Sequence, residues 1–169
     1  QIQKFYGSYV SQNPDEQHDP SKVFLTIADA DSLLHRRYFA NLTLNALSRS
    51  AEERSWMIWQ PPILNFRNIE TVPSAIRNCA YGSFMFEMSG LYSSKYLDHL
   101  CFSTYSVSLS LVNHPVIDGW DADVIAEDHH HFLKCLFASY WEDLLSNDVE
   151  TNKSVKSISK LKIEPIWCP

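Results

Sequence analysis

The chain has 169 residues, with 14 lysines and arginines against 20 aspartates and glutamates, and a formal net charge of −6. Its 45% hydrophobic and 13% aromatic residues exclude a disordered chain, and its 4 glycines exclude a collagen-like one. The acidic balance argues against binding of nucleic acid, because such proteins need a basic face to neutralise phosphates. The length suits one compact domain.

The sequence has the features of a fragment. It begins at Gln1 without a charged and apolar leader, and it stops at Pro169 just after a strand-like pattern. No apolar run reaches the roughly 18 residues that a transmembrane helix needs, so none is expected in this segment. We predict that residues 1–169 form a single, partial domain of a longer protein.

A short apolar strand is predicted near the start of the chain. Residues 11–22 are polar and contain proline, which indicates a loop, and residues 23–28 are apolar, which predicts a buried strand. A helix is predicted from Ser32, with Asp31 or Ser32 as its N-cap. Its apolar residues recur every four positions at Leu34, Tyr38, Leu42 and Ala46.

The next predicted pair is again a strand followed by a helix. Residues 55–59 form the strand, which Pro61 and Pro62 end, and Pro73 marks the start of the helix, which extends to Gly90. Methionine and aromatic side chains form a stripe along this helix, which is more typical of a packed core than of a cofactor site. The stripe consists of Tyr81, Phe84, Met85 and Met88.

A third helix begins at Glu127 and carries two neighbouring apolar stripes, and so wide an apolar surface predicts a deeply packed helix. The stripes are Phe132, Leu136 and Tyr140, and Leu133, Phe137 and Trp141. Residues 101–112 fit a strand or a helix, residues 146–154 indicate a loop, and residues 159–164 alternate as in a half-exposed strand.

Strands and helices therefore alternate, which predicts an α/β fold with a largely parallel sheet. Ligands of such sheets bind beyond the carboxyl ends of the strands, where Asp29 and Asp31 follow the first strand. Alternate residues of an extended chain point the same way, so the two carboxylates can converge. Adjacent anions repel each other, and a divalent cation bound to both carboxylates would offset this repulsion. Carboxylate oxygens are suitable ligands for Mg²⁺ or Mn²⁺.

Two other interpretations of these acids stay open. Asp31 can be a helix cap, with Asp29 a solvated acid of the loop. Asp29 can also be the nucleophile of a phosphohydrolase. The Asp-x-Asp pattern of that chemistry usually continues with Thr or Val, whereas Ser32 and Leu33 follow here.

A second acid pair, Glu127 and Asp128, opens the third helix. The helix dipole and the free N–H groups favour acids in a first turn, which is one sufficient reason for them. The functional alternative is that Asp128 removes a proton from a hydroxyl, a role worth roughly 10²–10⁴ in rate. The following residues, His129–131, do not fit a zinc site, because consecutive helical residues point about 100° apart. One of them is expected to line the cleft.

The four cysteines are widely spaced and form no C-x-x-C pair, which favours free, buried thiols over a disulfide framework. They are Cys79, Cys101, Cys135 and Cys168. An apolar helical run surrounds Cys135, which predicts that it lies in the core.

Taken together, the two acid pairs resemble motifs of the family 2 glycosyltransferases, most closely the branch that includes cellulose and chitin synthases. That family has Asp-x-Asp after an apolar strand and Thr-Glu-Asp at a helix start. Here the corresponding residues are Asp29-Ala30-Asp31 and, with alanine in place of threonine, Ala126-Glu127-Asp128. The likeness covers most of the chain, about residues 22–140, and includes the Gly119-Trp120 loop.

The resemblance implies a GT-A fold, a three-layer α/β sandwich with a mostly parallel sheet that binds a nucleotide sugar. It implies that Asp29 and Asp31 hold Mg²⁺ or Mn²⁺ on the diphosphate of a UDP- or GDP-sugar donor. Asp128, with Glu127 beside it, would be the catalytic base, and the sugar would be transferred with inversion. Trp120 would stack on a glycan acceptor, although a place in the core is an equal alternative.

The chain also departs from the family pattern. The N-terminal portion of the fold, with its first strand and its nucleoside-binding acid, is missing, and the Gln-x-x-Arg-Trp motif of processive members would lie beyond Pro169. We therefore expect the fragment alone to be inactive. The intact protein is expected to be membrane-associated through segments outside this one, in the Golgi, the endoplasmic reticulum or the plasma membrane. A catalytically inactive binding module of the same fold is an alternative, as is the phosphohydrolase.

Overall fold

The computed structural model describes residues 2–14, 18–93, 100–147 and 160–168. Its helices are α1 (Ile2–Gln12), α2 (Tyr38–Leu47), α3 (Ala51–Arg54), α4 (Ser74–Ser93), α5 (Leu109–Val112) and α6 (Glu127–Asn147). Its strands are β1 (Phe24–Ile27), β2 (Met57–Gln60), β3 (Tyr105–Ser108) and β4 (Lys162–Pro165). A 3₁₀ turn, Pro20–Lys22, precedes β1.

The four strands form one mixed sheet in the order β1-β3-β2-β4. β3 runs antiparallel to both of its neighbours, and β2 and β4 pair in parallel. The predicted α/β class is confirmed, but the prediction of a largely parallel sheet is wrong. The reason is that β2 ends and β3 begins at the same edge of the sheet, so the connection through α4 is not a crossover. β1, β2 and β4 run the same way, and their carboxyl ends meet at that edge.

Helices pack on both faces of the sheet, because alternate residues of a strand point to opposite sides. Ile58 of β2 lies in one core together with Phe132 and Cys135 of α6. The next residue, Trp59, lies in the other core together with Leu42 of α2. The sheet therefore separates α6 from α2.

The helix predicted from Ser32 begins at Tyr38, and neither Asp31 nor Ser32 caps it. Its N-cap residue is Arg37, whose side chain makes no capping hydrogen bond. The hydroxyl of Ser32 instead contacts the hydroxyl of Thr104, at 3.1 Å. The predicted apolar stripe is confirmed as the packed face. Three of its residues are buried and the fourth partly buried: Tyr38, Leu42, Ala46 and Leu34.

The apolar stripe predicted as core on α4 is only partly buried, with Phe84 and Met88 half-buried. Tyr81 and Met85 are exposed, and α4 instead buries Glu87 and Leu91 farther along. Only the last turns of α4 therefore reach the sheet, and helical periodicity does not report where along a helix the contact lies.

The predicted deep packing of α6 is also wrong. Phe132 is buried, but Phe137 is 68% exposed, and Leu133, Tyr140 and Trp141 are exposed as well. α6 meets the sheet through a narrow face that includes small residues, which are Cys135, Ala138 and Ser139. The start of the helix at Glu127 is confirmed.

The four cysteines are all free, as predicted, but not all of them are buried. Cys101 and Cys135 are buried, whereas Cys79 is exposed. Most of the predicted loop over residues 146–154 lies outside the described residues. None of the described helices is long and apolar enough to cross a membrane.

Candidate functional site

A cavity of about 810 Å³ opens at the edge where β1, β2 and β4 end and β3 begins. This is the edge at which α/β sheets bind ligands, and the volume lies within the usual range for a small-molecule site. Four stretches of chain contribute to its walls. They are residues 29–38 after β1, residues 61–68 after β2, residues 103–104 before β3, and residues 166–168 after β4.

The predicted metal-binding acids both line this cavity. Asp29 and Asp31 are exposed and lie just beyond β1. The chain turns there, since the N–H of Ser32 donates to the carbonyl of Asp29 at 3.0 Å. No group of three or more histidine, cysteine or acidic side chains is placed to hold a metal within the described ranges. Two carboxylates are nevertheless sufficient protein ligands for Mg²⁺, which keeps waters and phosphate oxygens as its other ligands.

Ser103 connects the two predicted acid sites. Its hydroxyl donates to Oδ2 of Asp29 at 2.5 Å, and its backbone N–H donates to Oδ2 of Asp128 at 2.9 Å. The end of β1 and the start of α6 are thereby joined through one residue. Sequence reasoning missed Ser103, because a serine before a strand carries no signal of its own.

Asp128 is half-buried at the start of α6, and backbone N–H groups contact both of its oxygens. Oδ2 accepts from Ser103, and Oδ1 accepts from the N–H of His129 at 2.7 Å. These two bonds orient the carboxylate. The preceding residue, Glu127, is exposed. Neither Glu127 nor Asp128 is among the described residues that line the cavity.

Trp120 is half-buried and packs beside the core next to α6. Its indole N–H donates to the hydroxyl of Tyr105 at 2.8 Å, and its ring stacks on His131 with centroids 4.4 Å apart. The structure therefore gives Trp120 a packing role, and the described walls of the cavity do not include it. Its predicted contact with an acceptor sugar stays a prediction.

The histidines of α6 are dispersed, as expected from their spacing. His131 is buried, and its Nδ1–H donates to the carbonyl of Gly119 at 3.2 Å. Burial lowers the pKa of His131 to about 4, although that hydrogen bond acts in the opposite direction. His130 lies 3.1 Å from Asp121, and the ring of His129 meets that of Phe102 edge-on. The described walls of the cavity include none of the three, and the expectation that one lines the cleft stays a prediction.

Sequence reasoning missed several residues on the other walls of the cavity. Arg67 and Asn68 follow β2, Trp167 follows β4, and His35 lies on the segment after β1. They place a cation, an amide and an aromatic surface in the same cavity as the two aspartates. The rule that ligands bind beyond carboxyl ends could have identified the segments after β2 and β4, had the direction of each strand been known.

Glu87 of α4 is hydrogen-bonded to the cavity wall that follows β2. It is only 2% exposed, and its carboxylate accepts the N–H of Ile63 at 2.8 Å. Burial raises the pKa of Glu87 to about 7, although the bond from Ile63 acts in the opposite direction. The position of the Pro61-Pro62-Ile63 wall therefore depends on a side chain whose charge changes near neutral pH.

No protein-family model, curated protein sequence or solved structure matches the chain.

Proposed function

We propose that the chain is a partial catalytic domain of an inverting, metal-dependent glycosyltransferase. Such an enzyme moves a sugar from a nucleotide-sugar donor, a UDP- or GDP-sugar, to a hydroxyl of a glycan or another acceptor. The observation that carries the proposal is the link from Asp29 through Ser103 to Asp128. It brings a candidate metal ligand and a candidate base to the same edge of the sheet.

The metal site is proposed at Asp29 and Asp31. Their hard oxygen ligands fit Mg²⁺ or Mn²⁺, and one oxygen of Asp29 is not used by Ser103. The ion, when bound, would neutralise negative charge on the leaving diphosphate. Arg67, on another wall of the cavity, adds a cation that suits the same anionic group.

The base is proposed to be Asp128. Its carboxylate is already oriented by two backbone N–H groups and belongs to a long helix, so its position is fixed before substrate binds. In the proposed reaction Asp128 takes the proton of the acceptor hydroxyl as the oxygen attacks the anomeric carbon. The nucleoside diphosphate leaves from the opposite face, which inverts the configuration.

A GT-A fold and a membrane-associated intact protein are part of the same proposal. The layered α/β architecture is compatible with such a fold. Glu127, beside the base, stays a candidate catalytic residue. Trp120, in the loop before it, stays a candidate for contact with the acceptor.

The experiment compares wild-type full-length protein with Asp128→Asn, using a panel of UDP- and GDP-sugars and Mn²⁺. Transfer, or release of the nucleoside diphosphate, is expected to fall by roughly 10²–10⁴ in the variant, with donor binding retained. Asp123→Asn, in the exposed loop before α6, is the matched control and should keep full activity.

Three results would contradict the proposal. Near wild-type turnover in Asp128→Asn would show that Asp128 is not the catalytic base. Donor binding without any turnover by the wild-type protein would favour the inactive binding module. Release of phosphate from an aryl phosphate, lost in Asp29→Asn, would favour the phosphohydrolase.

A further inference from the structure

Ser103 has a backbone conformation that favours glycine. Its φ is +60°, and it forms the centre of a three-residue turn in which Thr104 N–H donates to the Phe102 carbonyl at 2.7 Å. A side chain at positive φ is sterically unfavourable, and turns of this kind are rare and strained. Residues other than glycine persist in such conformations where surrounding contacts hold them, and they cluster at functional sites.

The contacts of Ser103 divide between its side chain and its main chain. The hydroxyl donates to Oδ2 of Asp29, and the backbone N–H donates to Oδ2 of Asp128. Any residue except proline would keep the second bond, because every other residue has a backbone N–H. Among these contacts, only the bond to Asp29 requires a side chain.

We infer that Ser103 is a positioning residue, which orients the Asp29 carboxylate for the metal ion and fixes its position relative to the Asp128 carboxylate. The inference rests on the proposed function and explains why serine stands where glycine would relieve the backbone. The hydroxyl engages one oxygen of Asp29 and leaves the other to the cation. Outer hydrogen-bond partners of this kind orient metal ligands, and their loss weakens metal binding or activity by about 10–100-fold.

The test is Ser103→Gly in the full-length protein, with binding of Mn²⁺ alone measured by calorimetry. Glycine keeps the N–H that binds Asp128 and adopts positive φ without strain, so the melting temperature should stay the same or rise. The Mn²⁺ affinity is expected to fall by about tenfold or more. In turnover, the Mn²⁺ concentration for half-maximal rate should rise by a similar factor.

Ser139→Ala is the control, because it removes the hydroxyl of a serine on α6 that is buried in the interior. The hydroxyl of Ser139 accepts the N–H of Leu161 at 3.0 Å, where α6 meets the chain before β4. Its loss leaves a buried N–H without this acceptor and should lower the melting temperature. The Mn²⁺ affinity of this variant should equal that of the wild-type protein.

The outcomes separate the inference from the proposed function. Equal Mn²⁺ affinity in Ser103→Gly and wild type, with binding lost in Asp29→Ala, would overturn the role of Ser103 and leave the metal site standing. A weaker affinity that comes with a lower melting temperature would also overturn it, because general damage would then explain the loss. A wild-type protein that does not bind Mn²⁺ would overturn the proposed metal site and this inference together.

Discussion

The tripeptide Asp-Ala-Asp occurs twice in the chain, at residues 29–31 and 121–123, and the structure uses the two copies differently. In the first copy both aspartates line the cavity, and no cationic side chain pairs with either in the part of the chain that the structure describes. In the second copy, Asp121 lies 2.9 Å from Nζ of Lys134 and 3.1 Å from His130. The hydrogen bond from Lys134 lowers the pKa of Asp121.

The difference shows that neighbours, rather than the local sequence, decide what an acid pair can do. α6 supplies the Lys134 ammonium to Asp121 of the second copy, so the charge of that aspartate is used within the fold. The first copy follows β1 at the open edge of the sheet, where its two negative charges stay available to a divalent cation. The following predictions test this contrast, from the largest expected effect to the smallest.

The first prediction compares Asp31→Ala with Asp123→Ala, the equivalent position in the second copy. Loss of a proposed ligand should weaken Mn²⁺ binding by more than the roughly 10–100-fold expected for an outer partner. The second variant should bind Mn²⁺ as the wild-type protein does, since Asp123 is an exposed acid of a loop. Calorimetry with Mn²⁺ measures both. Equal losses in the two variants would remove the distinction between the copies.

The second prediction concerns Glu87, which supports the cavity that contains the first copy. Its pKa is about 7 in the fold against 4.5 for a free carboxyl, so the stability present below pH 4.5 is lost as pH rises to about 7. The loss is about 3 kcal/mol, at ~1.4 kcal/mol per pKa unit. Glu87→Gln keeps an oxygen that can accept the N–H of Ile63 and cannot ionise.

The free energy of unfolding of Glu87→Gln, from urea titration, should therefore exceed that of the wild-type protein more at pH 8 than at pH 4.5. A difference that does not change with pH would contradict the assignment.

The third prediction concerns His131, which lies beside the second copy and should respond to pH in the opposite direction. Its pKa is lowered from 6.5 to about 4, so the stability present above pH 6.5 is lost as pH falls towards 4. The loss is again about 3 kcal/mol. His131→Phe keeps an aromatic ring against Trp120, and the Gly119 carbonyl keeps the Lys134 ammonium as a donor.

The unfolding free energies of His131→Phe and the wild-type protein should thus converge, or cross in favour of the variant, between pH 6.5 and pH 4. Parallel pH profiles would show that His131 does not titrate in this range.

The smallest effect is expected for Lys134→Met, which removes the cation from the second copy. Lys134 and Asp121 are partly exposed, so the pair contributes at most about 1 kcal/mol and is screened by salt. The melting temperature of the variant should fall slightly in low salt. It should match the wild-type value in 0.5 M NaCl, because the electrostatic screening length is then only roughly 4 Å. A large loss that persists in high salt would show that the pair is not a surface interaction.

Short-range patterns predicted the secondary structure well where the local pattern was strong. The apolar run before Asp29 is β1, the proline pair ends β2, and Glu127 begins α6. Prediction failed at the start of α2, because the hydroxyl of Ser32 contacts Thr104, a residue far along the chain, rather than the helix. It failed again on α6, where a wide apolar surface was taken to mean deep packing.

The candidate site was predictable only in part. Asp29 and Asp31 were found because the position after an apolar strand is a local property of the sequence. Arg67 and Trp167 were not found, since they reach the cavity only through the order and direction of β2 and β4. Ser103 was not found because the backbone conformation before β3 follows from the contacts on either side of it.

The sequence by itself determined the α/β class, the placement of one acid pair after a strand, and the placement of the other at the start of a helix. Hydrophobic periodicity and helix-terminus preferences act over a few residues, so they can be deduced without the fold. Only the tertiary structure decided that β3 runs antiparallel and that Ser103 joins Asp29 to Asp128. It also decided that Asp121 pairs with Lys134, whereas neither aspartate of the first copy pairs with a cation among the described residues. Each of these depends on contacts between residues distant in sequence, which pattern alone does not specify.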